Sequence, residues 1–516
     1  MRGAVFAPRA AAALALFAAA LAPAAVHAEA IRREADTPAA EIRPPIAERR
    51  VDTRHSVAVD GRTITYTASA GTLTLRDGEG LAKASMFYVA YVADRPKGAP
   101  ERPVTFLYNG GPGSSSIWLH MASFAPVRVP VGIDAGPGTA LRLAPNPATL
   151  LGQTDMVFLD AIGTGYSDVF DPEEGKSYWG HDPDSASFTQ AIRRYLDING
   201  RWQSPKYLFG ESYGTTRSAI TALMLHKAGV QLDGIILMSS ILNFAQHAPG
   251  LDRMAINQVP TYAASAWYHG KVDRGVSLDA HVEKARRFAS GPYTLALAKG
   301  HDLPDAERDA VAAQMAALTG LSVDYLVQSQ LRVMPDRFRK ELLRGEGRVL
   351  GELDTRFTGY ESDDAASDTS TDPAGDAIKG PVISSFLTYV RKDLNYRTDQ
   401  PYHVSSPKNL LGIWDWSHVP PRGEKQNAMA DVALDLAEAM RRNPEMRVLA
   451  LNGYYDLSTP FFATEYDLSH MLLPKALRGN LTEHSYASGH MIYLDPQSLQ
   501  QVHNDVSAFL TRRSGG

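Results

Sequence analysis

The stretch "KYLFGESYGTTRSAITALMLHKAG", residues 206–229, decides the fold because it runs from a strand pattern into a helix pattern. Residues 206–210 are predicted to be a short strand, and the helix that follows is predicted to end near Gly229. Between them, Gly210–Gly214 fits G-x-S-x-G, in which small residues flank a serine on a strained strand-to-helix turn. The stretch therefore predicts that Ser212 is a nucleophile; the alternative is a tight turn whose serine is incidental.

Buried strands recur on both sides of this stretch. A β-rich region covers residues 55–94, and further short apolar runs predict strands at residues 103–108, 155–160, 233–240, 446–453 and 481–488. Helical patterns lie between several of these runs, and residues 496–513 predict an amphipathic final helix. Buried strands that alternate with helices favour an α/β fold with a mostly parallel central sheet.

The chain has 516 residues, which is enough for one large domain with an insertion. We predict that residues 51–242 and 408–516 form the two parts of the α/β core. Residues 243–407 break the strand–helix rhythm and are predicted to be a largely helical lid insertion, with a separate helical domain as the alternative. The acidic, polar run at residues 359–377 is predicted to be a mobile loop within that insertion.

The N-terminus has the pattern of a secretory signal peptide over residues 1–28, with two arginines ahead of an alanine-rich apolar stretch. An uncleaved membrane anchor is the alternative. Residues 29–50 follow as a charged, proline-containing arm. The sequence has no cysteine, which excludes disulfides, thiolate metal sites and a cysteine nucleophile. A leader without later cysteines favours a bacterial protein secreted to the periplasm.

Composition and charge exclude several classes of partner. The formal net charge is -5, from 52 Lys+Arg and 57 Asp+Glu, and no basic stripe points to nucleic acid. No long uncharged apolar run follows the leader, so no membrane contact is expected after its cleavage. "HDPD" at residues 181–184 is too small a group for a metal site and is predicted to be a helix-capping turn. We predict no metal and no cofactor.

A serine nucleophile needs a base and an acid that orients the base, and these follow the serine in the order acid, then histidine, on an α/β-hydrolase sheet. Asp456 and His490 lie just after the last two predicted strands, in that order. His484 lies within a predicted strand and His503 within the final helix, so both are predicted to be structural. Asp160 also ends a strand, but it precedes the serine.

The glycine-rich run "NGGPG", residues 109–113, follows an early strand and exposes mainly backbone. Acyl transfer needs backbone N–H donors that face the developing oxyanion. One donor comes from the residue after the nucleophile, here Tyr213, and the other from a loop in the position of this run. The alternative is a phosphate cradle, but the lysine of a P-loop is missing.

Four blocks together are more specific than any one of them: "NGGPGSSS" (109–116), "GESYG" (210–214), "NGYYDLSTP" (452–460) and "GHM" (489–491). In sequence and order they resemble the signature blocks of the serine carboxypeptidase family (peptidase family S10). The resemblance implies an α/β-hydrolase fold with a lid insertion. It also implies that Ser212 attacks the C-terminal peptide carbonyl, that His490 moves the proton, and that Asp456 orients the imidazole.

The resemblance also assigns binding roles. The N–H groups of Gly111 and Tyr213 would form the oxyanion hole. Asn109, Gly110 and Glu211 would bind the free carboxylate of the substrate, which requires a proton shared between two acids and so favours acidic pH. Met491 would line the pocket for the leaving residue.

Two departures from the family pattern bear on the activity. Ser123 occupies the place of a second glutamate, so the carboxylate clamp is incomplete, and Ser114 replaces the usual cysteine. We therefore predict a serine carboxypeptidase that acts on peptides with a free C-terminus through an acyl-enzyme. A serine esterase or acyltransferase on the same scaffold is the main alternative. A non-catalytic binding protein and an aminopeptidase with a related glycine-rich loop are the others.

Overall fold

A computed structural model of the chain describes residues 48–59, 61–133, 141–248, 250–369, 371–407 and 410–511. The predicted signal peptide, residues 1–28, and nearly all of the predicted arm, residues 29–50, lie outside the described residues. Within those ranges the strands are β1 Arg50–Val59, β2 Arg62–Arg76, β3 Ala82–Ala93, β4 Val104–Tyr108, β5 Val127–Arg128, β6 Ala144–Pro145, β7 Asp155–Leu159, β8 Asp168–Val169, β9 Lys206–Glu211, β10 Gly234–Met238, β11 Val349–Leu350, β12 Thr358–Gly359, β13 Arg447–Gly453 and β14 Leu481–Tyr486.

One large sheet organises the molecule. Its strand order is β1-β2-β3-β7-β4-β9-β10-β13-β14, and β8 pairs with β3. The first three strands form an antiparallel meander, β3 pairs antiparallel with β7, and all neighbours from β7 to β14 are parallel. Every residue of β4, β7 and β10 is buried, as expected of parallel strands that are covered on both faces. The predicted α/β fold with a mostly parallel central sheet is confirmed.

Helices cover both faces of this sheet. Their bounds in the described ranges are α1 Ile117–Leu119, α2 His181–Ile198, α3 Tyr213–Lys227, α4 Arg253–Tyr268, α5 Leu278–Phe288, α6 Thr294–Leu297, α7 Asp305–Thr319, α8 Val323–Gln328, α9 Pro335–Glu341, α10 Pro373–Lys392, α11 Leu410–Ile413, α12 Ala433–Arg442, α13 Phe461–Ser469 and α14 Pro496–Thr511. Apolar residues of α2, α3 and α12 share one core cluster with the sheet. Those of α10 and α14 share the other.

The region predicted to be the lid, residues 243–407, divides into two parts. Its first helices, α4 to α9, bury a core cluster that is separate from the two on the sheet. Helix α10 instead places Ile378, Val382 and Phe386 in a sheet core. The predicted acidic loop, residues 359–377, ends too late, because α10 begins at Pro373 and the Asp372 side chain caps its first N–H groups.

Two further findings concern the described residues alone. None of their helices combines the length and the apolar character needed to cross a bilayer. They also contain no group of three or more His, Cys, Asp or Glu side chains placed to hold a metal ion. His181–Asp184, predicted to be a capping turn, instead form the first turn of α2, which Gly180 precedes.

Candidate active site

Ser212 lies on a strained turn between β9 and α3. Its φ of 61° and ψ of −133° are rare for a residue with a side chain. A Cβ on Gly210 would lie 2.6 Å from Ser218 Oγ, and one on Gly214 would lie 2.8 Å from Tyr108 O, so only glycine fits on either side. The two residues that adjoin Ser212 are buried, whereas Ser212 itself is partly exposed. The turn therefore presents the serine hydroxyl to solvent, as a nucleophile elbow does.

The sheet brings the other predicted catalytic residues to the same edge. Asp456 follows β13 and His490 follows β14, and these neighbouring strands are parallel to β9 and β10. His490 Nδ1 lies 2.8 Å from Asp456 Oδ2, and both side chains are buried. The histidine side chain thus pairs with a carboxylate through one ring nitrogen, which leaves Nε2 for another partner.

Asp456 is held in one orientation. Its Oδ1 accepts hydrogen bonds from the Ser458 N–H at 2.9 Å and the Thr459 N–H at 3.0 Å. The Thr459 hydroxyl donates to Oδ2 at 2.6 Å, beside His490 Nδ1. Burial lowers the pKa of His490, but Asp456, and then Glu211 and Glu352, raise it above its ordinary value. The pair therefore favours an imidazolium, as a general base requires when it has taken a proton.

The competing residues lie elsewhere. His484 is in β14 and His503 is buried in α14, as predicted for structural histidines. Asp160 accepts hydrogen bonds from the Ser116 N–H at 2.8 Å and the Tyr402 hydroxyl at 3.0 Å. These contacts give Asp160 a place in the packing of the loop after β4.

The glycine-rich loop packs directly against the start of α3. A Cβ on Gly110 would lie 2.7 Å from Gly214 N and closer still to Tyr213 N, so the loop backbone abuts the helix amides. Gly111 has a φ of +110°, which favours glycine. Tyr213 is the first residue of α3, so its N–H has no acceptor within the helix. Both predicted oxyanion donors therefore come from one junction.

Arg217, one turn into α3, links the glycine-rich loop to α2. Its Nη1 donates to the Asn109 carbonyl at 2.7 Å, and its Nε donates to Asp184 Oδ2 at 2.7 Å. The guanidinium is fully buried and lies 4.2 Å from the Phe188 ring centroid. Removing one partner of such a buried pair leaves an uncompensated charge, so the contact fixes the loop strongly.

We expect Gly110→Ala to lower kcat for hydrolysis of an activated ester by about 10²- to 10³-fold, because the new methyl group must push the loop away from Tyr213 N–H. The measurement is steady-state kinetics together with thermal unfolding. Gly78→Ala is the control, since a Cβ at Gly78 meets nothing within 4 Å. An unchanged kcat in Gly110→Ala would contradict the packing argument.

Glu211 lies beneath the elbow and is buried. Its Oε1 accepts a hydrogen bond from the Tyr493 hydroxyl at 3.2 Å, and the Asn109 side chain lies beside it. Among the described residues, Oε2 has no hydrogen-bond partner. Burial raises the pKa of Glu211 to about 7, although His490, Tyr493 and Asn109 oppose this rise. This acid can therefore carry a proton near neutral pH.

Ser123 and Met491 take structural places. The Ser123 hydroxyl donates to the Leu119 carbonyl inside the π-helical turn His120–Phe124, so it does not replace the missing glutamate. Met491 is 7% exposed and packs in a sheet core. Met491 can therefore contribute only a small part of its side chain to the predicted pocket for the leaving residue.

The sequence interpretation missed three residues that contact the predicted site: Thr459, Tyr493 and Arg217. Thr459 lies inside the block "NGYYDLSTP", three residues after Asp456, so its contact with Asp456 could have been predicted from the sequence. Arg217 follows Tyr213 by four residues on a predicted helix, which puts both on one face. Nothing in the sequence pointed to Tyr493, because its contact with Glu211 depends on how the turn after β14 packs.

Comparisons with known proteins find similarity to carboxypeptidases. The family model described as serine carboxypeptidase matches residues 65–280, which include the glycine-rich loop and the elbow. The retinoid-inducible serine carboxypeptidase of Rattus norvegicus is 31% identical over 150 residues, 28% of this chain and 30% of that protein. The chain thus matches less than a third of the length of that relative.

A solved structure matches over most of the chain. It is a prohormone-processing carboxypeptidase of Saccharomyces cerevisiae, with a TM-score of 0.52 and 16% identity, covering 86% of this chain and 91% of that one. This similarity shows that the fold is the α/β-hydrolase fold. Asp456 and His490 lie beyond the segment matched by the family model, so their pairing is known here from geometry.

Proposed function

We propose that the protein is a serine-type carboxypeptidase, because the family model described as serine carboxypeptidase matches residues 65–280. In this proposal it releases C-terminal amino acids from peptides through an acyl-enzyme. The observation that carries the proposal is the buried His490–Asp456 pair at the sheet edge that also bears the Ser212 elbow and the protonatable Glu211. The three features together suit acyl transfer next to a carboxylate.

The proposed reaction begins when Ser212 Oγ attacks the carbonyl carbon of the last peptide bond. His490 Nε2 takes the hydroxyl proton, while Asp456 holds the Nδ1–H. The oxyanion that forms accepts hydrogen bonds from the Gly111 and Tyr213 N–H groups. His490 then gives the proton to the leaving amine. A water molecule, deprotonated by the same imidazole, attacks the acyl carbonyl carbon, and the imidazolium returns the proton to Ser212 Oγ as the bond between Oγ and the acyl group breaks.

Carboxylate recognition falls to Glu211 and Asn109. Two carboxylates cannot share a buried site unless one is protonated, so Glu211 would bind as the acid and donate through Oε2. The Tyr493 hydroxyl occupies Oε1 and fixes which oxygen faces the substrate. The Asn109 oxygen accepts the Leu119 N–H at 2.8 Å, which leaves its amide hydrogens as donors.

The pKa of about 7 for Glu211 gives a prediction for the pH dependence. An N-blocked dipeptide with a free C-terminus is preferred over its C-terminal amide below that pH, where Glu211 is protonated. The preference falls on the order of tenfold between pH 6 and pH 8, as Glu211 ionises. The measurement is kcat/KM for both substrates from pH 4 to 8.

Glu211→Gln is the control variant for this experiment. It keeps a neutral hydrogen-bond donor at all pH values, so its preference for the acid over the amide stays flat across the range. Equal cleavage of acid and amide by the unmodified protein would overturn carboxylate recognition. That outcome would favour the second candidate, a serine esterase or acyltransferase. The hydrogen bond from the Ser123 hydroxyl to the Leu119 carbonyl supports this candidate, because Ser123 supplies no second acid to the clamp.

A further inference from the structure

A short segment that precedes α10 spans the two loops that carry Asp456 and His490. We name residues 352–356 the clasp. Three main-chain hydrogen bonds join it to those loops: Leu457 N–H to Glu352 O at 3.1 Å, Thr355 N–H to Tyr455 O at 3.0 Å, and His490 N–H to Leu353 O at 2.6 Å. The clasp therefore binds the backbone on both sides of Asp456 and the backbone of His490 itself.

The side chains of the clasp extend these contacts. Arg356 and Asp354 form a buried ion pair, with Nη2 to Oδ2 at 2.7 Å and side chains 5% and 1% exposed. The other guanidinium N–H groups reach the histidine loop, at Ala487 O (2.8 Å), Ser488 Oγ (3.0 Å) and Asp495 Oδ2 (3.1 Å). With Nε on Asp354, all five donors of the guanidinium are used.

The clasp also fills the space next to His490. A Cβ on Gly489 would lie 2.5 Å from Leu353 O and closer to Asp354 Cβ. On the opposite side, a Cβ on Gly453 would lie 2.5 Å from Ser488 O and closer to Gly489 O. The residue before His490 is therefore confined between the clasp and the end of β13, so movement of the clasp must move the histidine.

We propose that Asp354 and Arg356 are positioning residues that keep His490 aligned with Asp456. The two catalytic candidates lie on separate loops after separate strands, and the chain has no disulfide to tie those loops together. Catalytic groups lose rate steeply when they move by about an ångström. A planar guanidinium that bonds a carboxylate, a hydroxyl and a carbonyl at once restrains the loop in a way that a lysine ammonium cannot. This inference rests on the proposed function.

The experiment compares Arg356→Lys and Arg356→Met with matched variants at Arg201. Arg201 forms a comparable buried pair with Asp155 at 2.8 Å. Asp155 begins β7, so this pair lies at the N-terminal ends of the parallel strands, whereas Asp456 and His490 follow the C-terminal ends. Each variant is measured for kcat and KM on the N-blocked dipeptide, for the labelling rate of Ser212 by a fluorophosphonate, and for thermal unfolding.

We expect Arg356→Lys to lower kcat and the labelling rate about ten- to a hundredfold, with KM within about threefold of the unmodified protein. Arg201→Lys loses a similar amount of thermal stability but keeps kcat within about twofold. A general loss of stability would affect both pairs equally, so the contrast isolates positioning. If Arg356→Met does not fold, the comparison of Arg356→Lys with Arg201→Lys tests the inference.

Three outcomes would overturn the inference, in different ways. If the unmodified protein reacts and cleaves, and Arg356→Lys matches Arg201→Lys in kcat and labelling rate, positioning by the clasp is wrong while the proposed function stands. A rise in KM at unchanged kcat would also overturn it. If the unmodified protein fails to react with the fluorophosphonate, the proposed function itself is wrong, and the inference falls with it.

Discussion

Replacing Ser212 with alanine is expected to lower kcat for release of the C-terminal amino acid by about 10⁴- to 10⁶-fold. The hydroxyl stands on a backbone turn with φ of 61°, between Gly210 and Gly214, which tolerate no side chain. The variant removes this hydroxyl and keeps both glycines of the turn. The proposed oxyanion donors and the proposed carboxylate site persist in the variant. KM is therefore expected to stay within a few-fold, and the residual rate comes from those groups.

The same variant is expected to lose all labelling by a fluorophosphonate. Ser69→Ala is the matched control, because Ser69 is a buried serine on β2 whose hydroxyl donates to Asp52 Oδ1 at 2.6 Å, far along the sheet from the elbow. The control keeps its labelling and its kcat. Retention of more than about one hundredth of the activity in Ser212→Ala would identify another nucleophile.

Local pattern was enough to predict the elements that carry the site. The strand at residues 206–210, the turn at Ser212 and the helix that ends before Gly229 follow from apolar runs and glycine positions within two dozen residues. The positions of Asp456 and His490 after β13 and β14 follow from the same logic, since parallel strands end at one edge. These predictions needed no knowledge of which distant segments pack together.

Contacts between distant segments were not predictable in this way. The clasp precedes Asp456 by about a hundred residues of chain, and its sequence has no periodicity that names a partner. Residues 373–392, which form α10, fall in the predicted lid because residues 243–407 break the strand–helix rhythm, and that break does not show which core a helix packs against. The start of α10, in contrast, could have been predicted from the sequence, since Asp372 is an N-cap residue and Pro373 is the first residue of the helix.

The end of β10 joins the three loops of the site. Ser212 N–H donates to the Met238 carbonyl at 2.9 Å, and Ser239 N–H donates to the Leu451 carbonyl at 2.8 Å. The Ser239 hydroxyl donates to the His490 carbonyl at 2.6 Å. The elbow, the acid strand and the histidine loop are thus tied through one central strand, so the geometry of the Asp456–His490 pair is set from the sheet as well as from the clasp.

Asp456→Asn is expected to lower kcat by about 10⁴-fold with little change in KM. Asp456 Oδ1 accepts two main-chain N–H groups, so the asparagine oxygen must stay there and its NH₂ must occupy the position of Oδ2, against His490 Nδ1. An N–H donor at that place makes Nδ1 an acceptor and puts the imidazole proton on Nε2. The histidine then presents a proton to Ser212 and cannot remove one.

The matched control is Asp435→Asn, which alters a second buried pair of the same length, Asp435 Oδ2 to His418 Nε2 at 2.8 Å. That pair lies outside the proposed machinery, so kcat should stay within a few-fold while stability falls. Asp456→Ala separates orientation from charge, because it removes the carboxylate without imposing a tautomer. If Asp456→Asn kept kcat within tenfold of the unmodified protein, a group other than Asp456 would have to orient His490, and the Thr459 hydroxyl, 3.1 Å from Nδ1, would be the one to replace next.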